Sequence, residues 1–175
     1  MNFDELTEKS FKTISRRIQR APRNKLSEFN EKGTLKSTFS VTSSFGALTA
    51  EMKNELSEFL DSLSKTDLKL RDVKKLQGSL DKFISQEYEH HRKYLEKINI
   101  LDVGNVNWDE FIQGEVSDTT AGIQIKVLII KKMICDGKKR VLWDIGKILI
   151  TAIIGGVIGA YIKHYFDIQI PVIKK

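Results

Sequence analysis

Apolar residues between 49 and 100 recur every three or four positions, which is the spacing of an amphipathic helix. A first run follows the candidate N-cap Thr49, and a second extends from Val73 to Ile98. A short polar connection between two such helices makes them neighbours in an antiparallel hairpin. The pattern therefore predicts an all-α fold centred on a helical hairpin over 49–100. The same spacing also permits an intermolecular coiled coil.

The N-terminal segment, 1–25, has the pattern of a basic amphipathic helix that ends at Pro22. No acidic residue occurs from Lys9 to Lys25. Such a helix can lie on an anionic membrane surface, bind nucleic acid phosphates, or expose a solvated basic face. The residues expected at a membrane surface are Arg16, Arg17 and Arg20.

Two segments lack a clear helical period. Residues 26–48 are rich in serine and threonine and are expected to form a loop, with a short strand as the alternative. Residues 101–122 are acidic and broken by glycine and asparagine, and are expected to form a second loop. A short helix around 108–115 is expected within that acidic loop.

Residues 123–140 are interpreted as a juxtamembrane helix followed by a basic collar. The apolar run from Ile123 to Ile134 is too short to cross a bilayer, and Asp136-Gly137 is expected to form a turn after it. Basic side chains near the end of a span bind anionic lipid headgroups. The collar residues are Lys131, Lys132, Lys138, Lys139 and Arg140.

The strongest apolar segment is 141–166, and the sequence predicts that it is a transmembrane helix. Its core, Ile148–Ile162, holds fifteen residues without a charge. Aromatic residues stand at both ends of the segment, as at the two interfaces of a bilayer. A helix of a water-soluble bundle is normally polar on one side, so a buried helix is the weaker interpretation.

The flanking charges orient this span. Positive residues are denser before the segment than in the tail after it, and they favour the cytoplasmic side. The first residues contain no apolar signal region. The expected layout is a single-pass, tail-anchored membrane protein with a cytoplasmic N-terminal part and a short tail over 167–175.

Two features inside the span point to association. Asp144 and Lys147 can pair on one side of the helix at the interface, or face a water-filled centre in an oligomer. Small residues at four-residue spacing let two helices approach closely. The packing residues predicted on this basis are Ala152, Gly155, Gly156, Gly159 and Ala160.

Composition and motifs argue against an enzyme. The chain has 175 residues, a net charge of +6 and one cysteine, which excludes a disulfide-stapled scaffold. Glu87 and His91 could share a metal on one helix face, but further ligands are missing nearby. No phosphate-binding loop or nucleophile motif occurs. No cofactor and no metal are expected.

Three hypotheses follow for the function. The first is a non-enzymatic, tail-anchored interaction or scaffold module that binds the lipid bilayer, self-associates through its span and recruits an unidentified protein partner. The second is a membrane-permeabilising effector of the toxin, holin or defence type. The third, which is disfavoured because no recognition motif accompanies the basic run, is a soluble helical protein that binds nucleic acid.

Overall fold

The computed structural model is all-helical over the residues it describes, which are 3–169 for the backbone and 3–137, 139 and 143 for the side chains. No strand occurs in this part of the chain, so the predicted all-α class is confirmed. The helices are α1 (Phe3–Ile18), α2 (Arg20–Glu31), α3 (Thr38–Ser64), α4 (Leu70–Lys97) and α5 (Trp108–Gln169).

The chain forms two compact units, Met1–Lys132 and Met133–Lys175. The first unit contains α1 to α4 and the N-terminal part of α5, and these elements form a helical bundle. The second unit is described only as helical backbone with a few side chains, among which Met133 and Trp143 are exposed.

Side-chain contacts fix the direction of the bundle helices. Ser44 meets His91 and Thr49 meets Tyr88, so α3 and α4 are antiparallel and the predicted hairpin is confirmed. Along α4 and α5, Arg92 pairs with Asp109 and Asp81 accepts hydrogen bonds from Gln124, which makes those two helices antiparallel as well.

Helix α1 packs along both α3 and α4. The ring of Phe11 stacks on Phe83 at 4.5 Å between centroids and meets Phe59 edge-on at 5.6 Å. Arg17, near the end of α1, forms an ion pair with Glu55 of α3. Aromatic burial therefore holds the basic N-terminal helix against the hairpin, with its charged side in solvent.

The centre of the bundle is built from the residues that the helical period selects. Leucines dominate the α3–α4 contact, and burial of each large apolar side chain contributes roughly 1.5–3 kcal/mol. Fully or almost fully buried members of this core are Val41, Phe45, Leu48, Met52, Leu56, Leu60, Val73, Leu76, Leu80, Ile84 and Leu95.

The bend between α1 and α2 has a covalent cause. Pro22 has no N–H to donate, and its ring would clash with the carbonyl group four residues earlier, which belongs to Ile18. The first helix ends at Ile18 and the next begins at Arg20, so Pro22 falls in the first turn of α2. The helix predicted in 1–25, with its end at Pro22, corresponds to α1, which ends four residues before the proline; the second helix that begins at Arg20 was not predicted.

The predicted loop over 26–48 is also wrong for most of its length, because α2 extends to Glu31 and α3 begins at Thr38. Ser37 caps α3, since its Oγ accepts the N–H of Ser40 at 3.1 Å. Further along, hydroxyl groups donate to carbonyl groups one turn earlier, as Thr42 does to Thr38. Tertiary burial of Val41 and Phe45 outweighs the weak helix preference of serine and threonine.

The predicted acidic loop over 101–122 is confined to its first residues, because α5 begins at Trp108. The helix expected around 108–115 is present but continues, and the backbone remains helical through Asp136-Gly137, where a turn was expected. Ile112, Thr119 and Ile123 are buried and lie on one side of α5. Their packing against the hairpin keeps the segment helical despite Gly114 and Gly122.

A membrane span is not found among the helices in the described part of the chain: none is both long enough and apolar enough to cross a bilayer. The predicted segment 141–166 is helical in its backbone, but apart from Trp143 its side chains lie outside the described residues.

Candidate functional site

A chain of buried hydroxyl groups joins α3, α4 and α5. The Thr49 hydroxyl donates to the Glu115 carboxylate at 2.6 Å, so it must accept a hydrogen bond from Tyr88, whose Oη is 2.5 Å away. Tyr88 in turn accepts from the Thr119 hydroxyl at 2.9 Å. The three hydroxyl-bearing side chains are almost completely buried, so this network is satisfied inside the core and links three helices.

Tyr88 is held in its neutral form. Burial raises the pKa of its phenol, and the nearby carboxylates of Glu115 and Asp118 act in the same direction. The hydrogen bonds that Tyr88 makes with Thr119 and Thr49 lower the pKa and only partly oppose the burial. A phenolate has no proton to donate to Thr49. The neutral phenol of Tyr88 therefore serves as the donor to Thr49 and the acceptor from Thr119.

His91 lies one turn along α4 and is fully buried. The Ser44 hydroxyl donates to the Val41 carbonyl oxygen at 2.8 Å, so at 2.9 Å it accepts from Nε2–H of His91. The other ring nitrogen, Nδ1, has no hydrogen-bond partner among the described residues. Burial, followed by the positive charge of Arg23, lowers the pKa of His91 to about 4.

A serine beside a histidine can be a catalytic pair, but such a pair needs access for a substrate. Ser44 and His91 are both fully buried, so a substrate could reach the hydroxyl only if the bundle opened. The Phe45 ring packs edge-on against the imidazole at 4.8 Å. We interpret the pair as a structural contact between α3 and α4.

The metal hypothesis at Glu87 and His91 finds no ligand set. Glu87 is 3% exposed and accepts a hydrogen bond from the Gln19 amide at 2.7 Å. The His91 ring points to Ser44, and His90 lies on the exposed side of the helix. Across the residues that the structure describes, no group of three histidine, cysteine or acidic side chains could hold a metal ion.

The basic residues predicted in 1–25 separate into two groups. Arg17 is paired with Glu55, Nη1 to Oε2 being 3.3 Å apart. Arg16 and Arg20 instead line a cleft of about 370 Å³ together with Arg23, which the membrane-surface prediction had not included. Arg23 could have been added from the sequence, because it follows Arg16 and Arg20 at helical spacing.

A second groove, of about 600 Å³, lies between α1 and α4. Phe11 and Phe83 contribute apolar surface to it, and buried Glu87 borders it as well. An ion pair between Asp4 and Lys75, 2.7 Å long, forms part of its wall. Charges of both signs line this groove, so it favours no single class of ligand.

The remaining predicted residues belong to the C-terminal part of α5. Lys131, Lys132 and Lys139 are exposed, whereas the side chains of Lys138 and Arg140 lie outside the described residues. Cys135 is a free thiol of intermediate exposure. The possible ion pair and the small-residue positions also fall outside the described side chains; these are Asp144, Lys147, Ala152, Gly155, Gly156, Gly159 and Ala160.

Comparison of the chain with protein-family models, with curated proteins and with solved structures finds no match.

Proposed function

We propose that this chain is a non-enzymatic, tail-anchored membrane protein in which 141–166 is the single span and the N-terminal bundle is a cytoplasmic interaction module. The bundle would bind a protein partner, and the span would hold it at the bilayer and associate with a second copy. The small residues Gly155 and Gly159 are the proposed packing positions in the membrane.

The observation that carries this proposal is the loss of amphipathic character along α5. Ile123, Val127 and Ile130 face the core and are at most 6% exposed. The outer apolar stripe, which we define as Ile125, Leu128 and Ile129, is 54–59% exposed on the other side of the same helix. An outer bundle helix in water usually carries polar residues there, so α5 is already apolar on both sides before 141–166 begins.

The charge of the region is consistent with an anionic membrane surface. Lys131, Lys132 and Lys139 are exposed along the same helix, immediately before the apolar segment. Lysine near a bilayer contributes about 1 kcal/mol of attraction to anionic lipid per residue. These residues would therefore favour the cytoplasmic side for the bundle, as the positive-inside rule also does.

Membrane integration is tested by extracting membranes of expressing cells with alkaline carbonate. The intact chain should stay in the membrane pellet, and Ile154→Lys should shift it to the supernatant because a lysine near the bilayer centre opposes insertion. Gln113→Lys adds the same charge at an exposed position of α5 and should leave the chain in the pellet. Recovery of the unsubstituted chain in the supernatant would refute the proposal.

Topology is tested with the single cysteine of the chain. Cys135 should react with a membrane-impermeant maleimide only after the cells are opened, because it lies on the cytoplasmic side in this layout. The variant Cys135→Ser with Ile173→Cys should react in intact cells. Labelling with the opposite preference would reverse the orientation, and equal labelling of both positions in intact cells would contradict a single span.

The permeabilising alternative makes a different prediction with the same chain. Purified protein in liposomes should release an entrapped dye if the span forms a pore, and should not if it is only an anchor. In the anchor proposal, Gly155→Leu with Gly159→Leu lowers crosslinking between copies, whereas Val157→Leu, between the two glycines, does not. Dye release that these glycine changes abolish would favour the pore.

A further inference from the structure

A cleft with basic walls lies at the junction of α1 and α2. Arg16, near the end of α1, and Arg20 and Arg23, in the first turn of α2, border one cavity of about 370 Å³ together with Ser15 and Gln19. We call these residues the arginine cleft. Arg16, Arg20 and Arg23 follow one another at intervals of four and three residues, so they lie on one side of the chain and border one space.

Among the described residues, the arginines of the cleft form no ion pair, and the carboxylate of buried Glu87 lies behind Gln19, to which it is hydrogen-bonded. No carboxylate is among its lining residues. In the described part of the chain, none of its arginines has an ion pair within 4.0 Å, whereas Arg17 on the neighbouring side is paired with Glu55. Arg20 also borders an adjacent groove that contains Glu51 and Glu55, but at distances beyond an ion pair.

Two contacts fix the cleft in place. The Arg23 guanidinium lies 5.2 Å from the centre of the Tyr94 ring, so a cation–π contact restrains it. Gln19 donates from Nε2 to the carboxylate and to the backbone carbonyl oxygen of Glu87, at 2.7 and 3.2 Å. Gln19, which lies between the arginines in the chain, is therefore attached to α4. Because Gln19 and Arg23 are already restrained, they lose less side-chain entropy when a ligand binds.

We propose that the arginine cleft binds a phosphate group, which is carried either by a dissolved compound or by a lipid headgroup. Arginine forks match the oxygens of phosphate and form charge-assisted hydrogen bonds to them. Two or three such groups around a space without an acidic lining residue suit a dianion better than a single negative charge. This binding site is separate from the membrane anchoring proposed above and does not depend on it.

The two sources of phosphate differ in whether this side of the bundle must lie on the membrane. Gln19 contacts Glu87, and Tyr88 beside it contacts Thr119 of α5. Along α5, Thr119 is thirteen residues, or about 20 Å of helix rise, from Lys132, where the first unit ends. A dissolved phosphate reaches the cleft in any arrangement, whereas a headgroup reaches it only if this side of the bundle lies on the membrane.

The test is a titration of the intact chain in uncharged detergent micelles, followed by NMR of the arginine Nε–H groups. One arm adds inorganic phosphate, and the other adds phosphatidic acid to the micelles. Saturable shifts of Arg16, Arg20 and Arg23 are expected in at least one arm. Shifts with inorganic phosphate assign a dissolved ligand, and shifts with phosphatidic acid alone assign a headgroup.

Variants make the test specific. Arg16→Gln and Arg20→Gln should each weaken binding roughly tenfold, and Arg20→Lys should weaken it less because the charge remains. Arg71→Gln removes the same charge at a side chain that is 81% exposed in α4 and should leave the affinity unchanged. Far-UV circular dichroism confirms that each variant is folded.

Three results would overturn the proposal. Shifts that sodium chloride reproduces at equal ionic strength would show only screening. An equal loss of affinity in Arg71→Gln would show a general charge effect. Binding of an oligonucleotide that perturbs Lys9, Lys12 and Lys25 as strongly as the cleft, with no saturable response to phosphate, would assign the whole basic face to nucleic acid instead.

Discussion

The core of the bundle has two regions that are equally buried and chemically different. The polar region is the part around Ser44, Thr49, Tyr88 and His91, where hydrogen bonds cross between helices. The apolar region follows from the same antiparallel register, which places Leu56 near Leu80 and Leu60 near Leu76. All members of the apolar region are at most 1% exposed, as are Ser44, Tyr88 and His91.

The two regions differ in how well they tolerate a change in the packing of the helices. Apolar contacts are not directional, so the leucines stabilise many related packings of α3 on α4. In the polar region, moving one partner leaves a buried hydroxyl group or the Nε2–H of His91 without its hydrogen bond, which lowers the stability. We infer that the apolar region supplies most of the stability, while the polar region selects one register for α3, α4 and α5.

The largest expected effect is in the apolar region. Leu60→Ala should lower the free energy of unfolding by about 2–5 kcal/mol, because it removes buried methyl groups and leaves a cavity that the helices close only in part. Urea denaturation followed by far-UV circular dichroism measures the change. A loss below about 1 kcal/mol would show that this region is loosely packed.

The second effect is a dependence on pH in the polar region. The pKa of His91 is lowered to about 4 in the folded chain, against 6.5 for the unperturbed residue. Below pH 6.5 the unfolded chain therefore binds a proton that the folded chain does not, so stability falls as the pH falls toward 4. Between pH 7 and pH 5 this amounts to about 2 kcal/mol.

The control for this effect is a side chain that cannot titrate. His91→Gln keeps an amide donor for Ser44, and its stability should change less between pH 7 and pH 5 than that of the unsubstituted chain. Urea denaturation at both pH values compares the two proteins. Equal pH dependence would mean that other groups, and not His91, cause the loss.

A smaller effect is expected at the centre of the hydroxyl network. Tyr88→Phe should cost about 1–2 kcal/mol, since Thr119 loses its acceptor and Thr49 loses a donor inside the core. Tyr94→Phe is the matched change at a less buried tyrosine of the same helix and should cost less than about 0.5 kcal/mol. If the two variants unfold at the same urea concentration, the network does not stabilise the fold.

The smallest effect is expected on the outer apolar stripe. Leu128→Ala makes the same chemical change as Leu60→Ala, but at a side chain that is 56% exposed. It should alter the free energy of unfolding by less than about 0.5 kcal/mol. A larger loss in the same urea experiment would reveal that this stripe is covered, for example by a second copy.

The helical hairpin could be predicted because its apolar residues repeat with the period of a helix. Met52, Leu56, Phe59, Leu60 and Leu63 were expected on one face; Phe59 is partly exposed and the other four are buried. The start of α3 could not be predicted in this way, because its serine and threonine residues resemble a loop in composition. The helix there is stabilised by burial of Val41 and Phe45 and by the Ser37 cap.

The polar network could not be predicted from the sequence for a related reason. Thr49 and Glu115 are 66 positions apart and are brought together by the packing of α5 on the hairpin. No local period records such contacts between distant positions.

The sequence by itself determined the all-helical class, the hairpin and the position of the most apolar segment, because these depend on the periodicity and amount of apolar residues along the chain. Only the tertiary structure decided which polar groups are buried in pairs, which arginines share a cleft and which side of α5 meets water. Those outcomes depend on how separate helices pack, and packing energy is shared among residues that lie far apart in the chain.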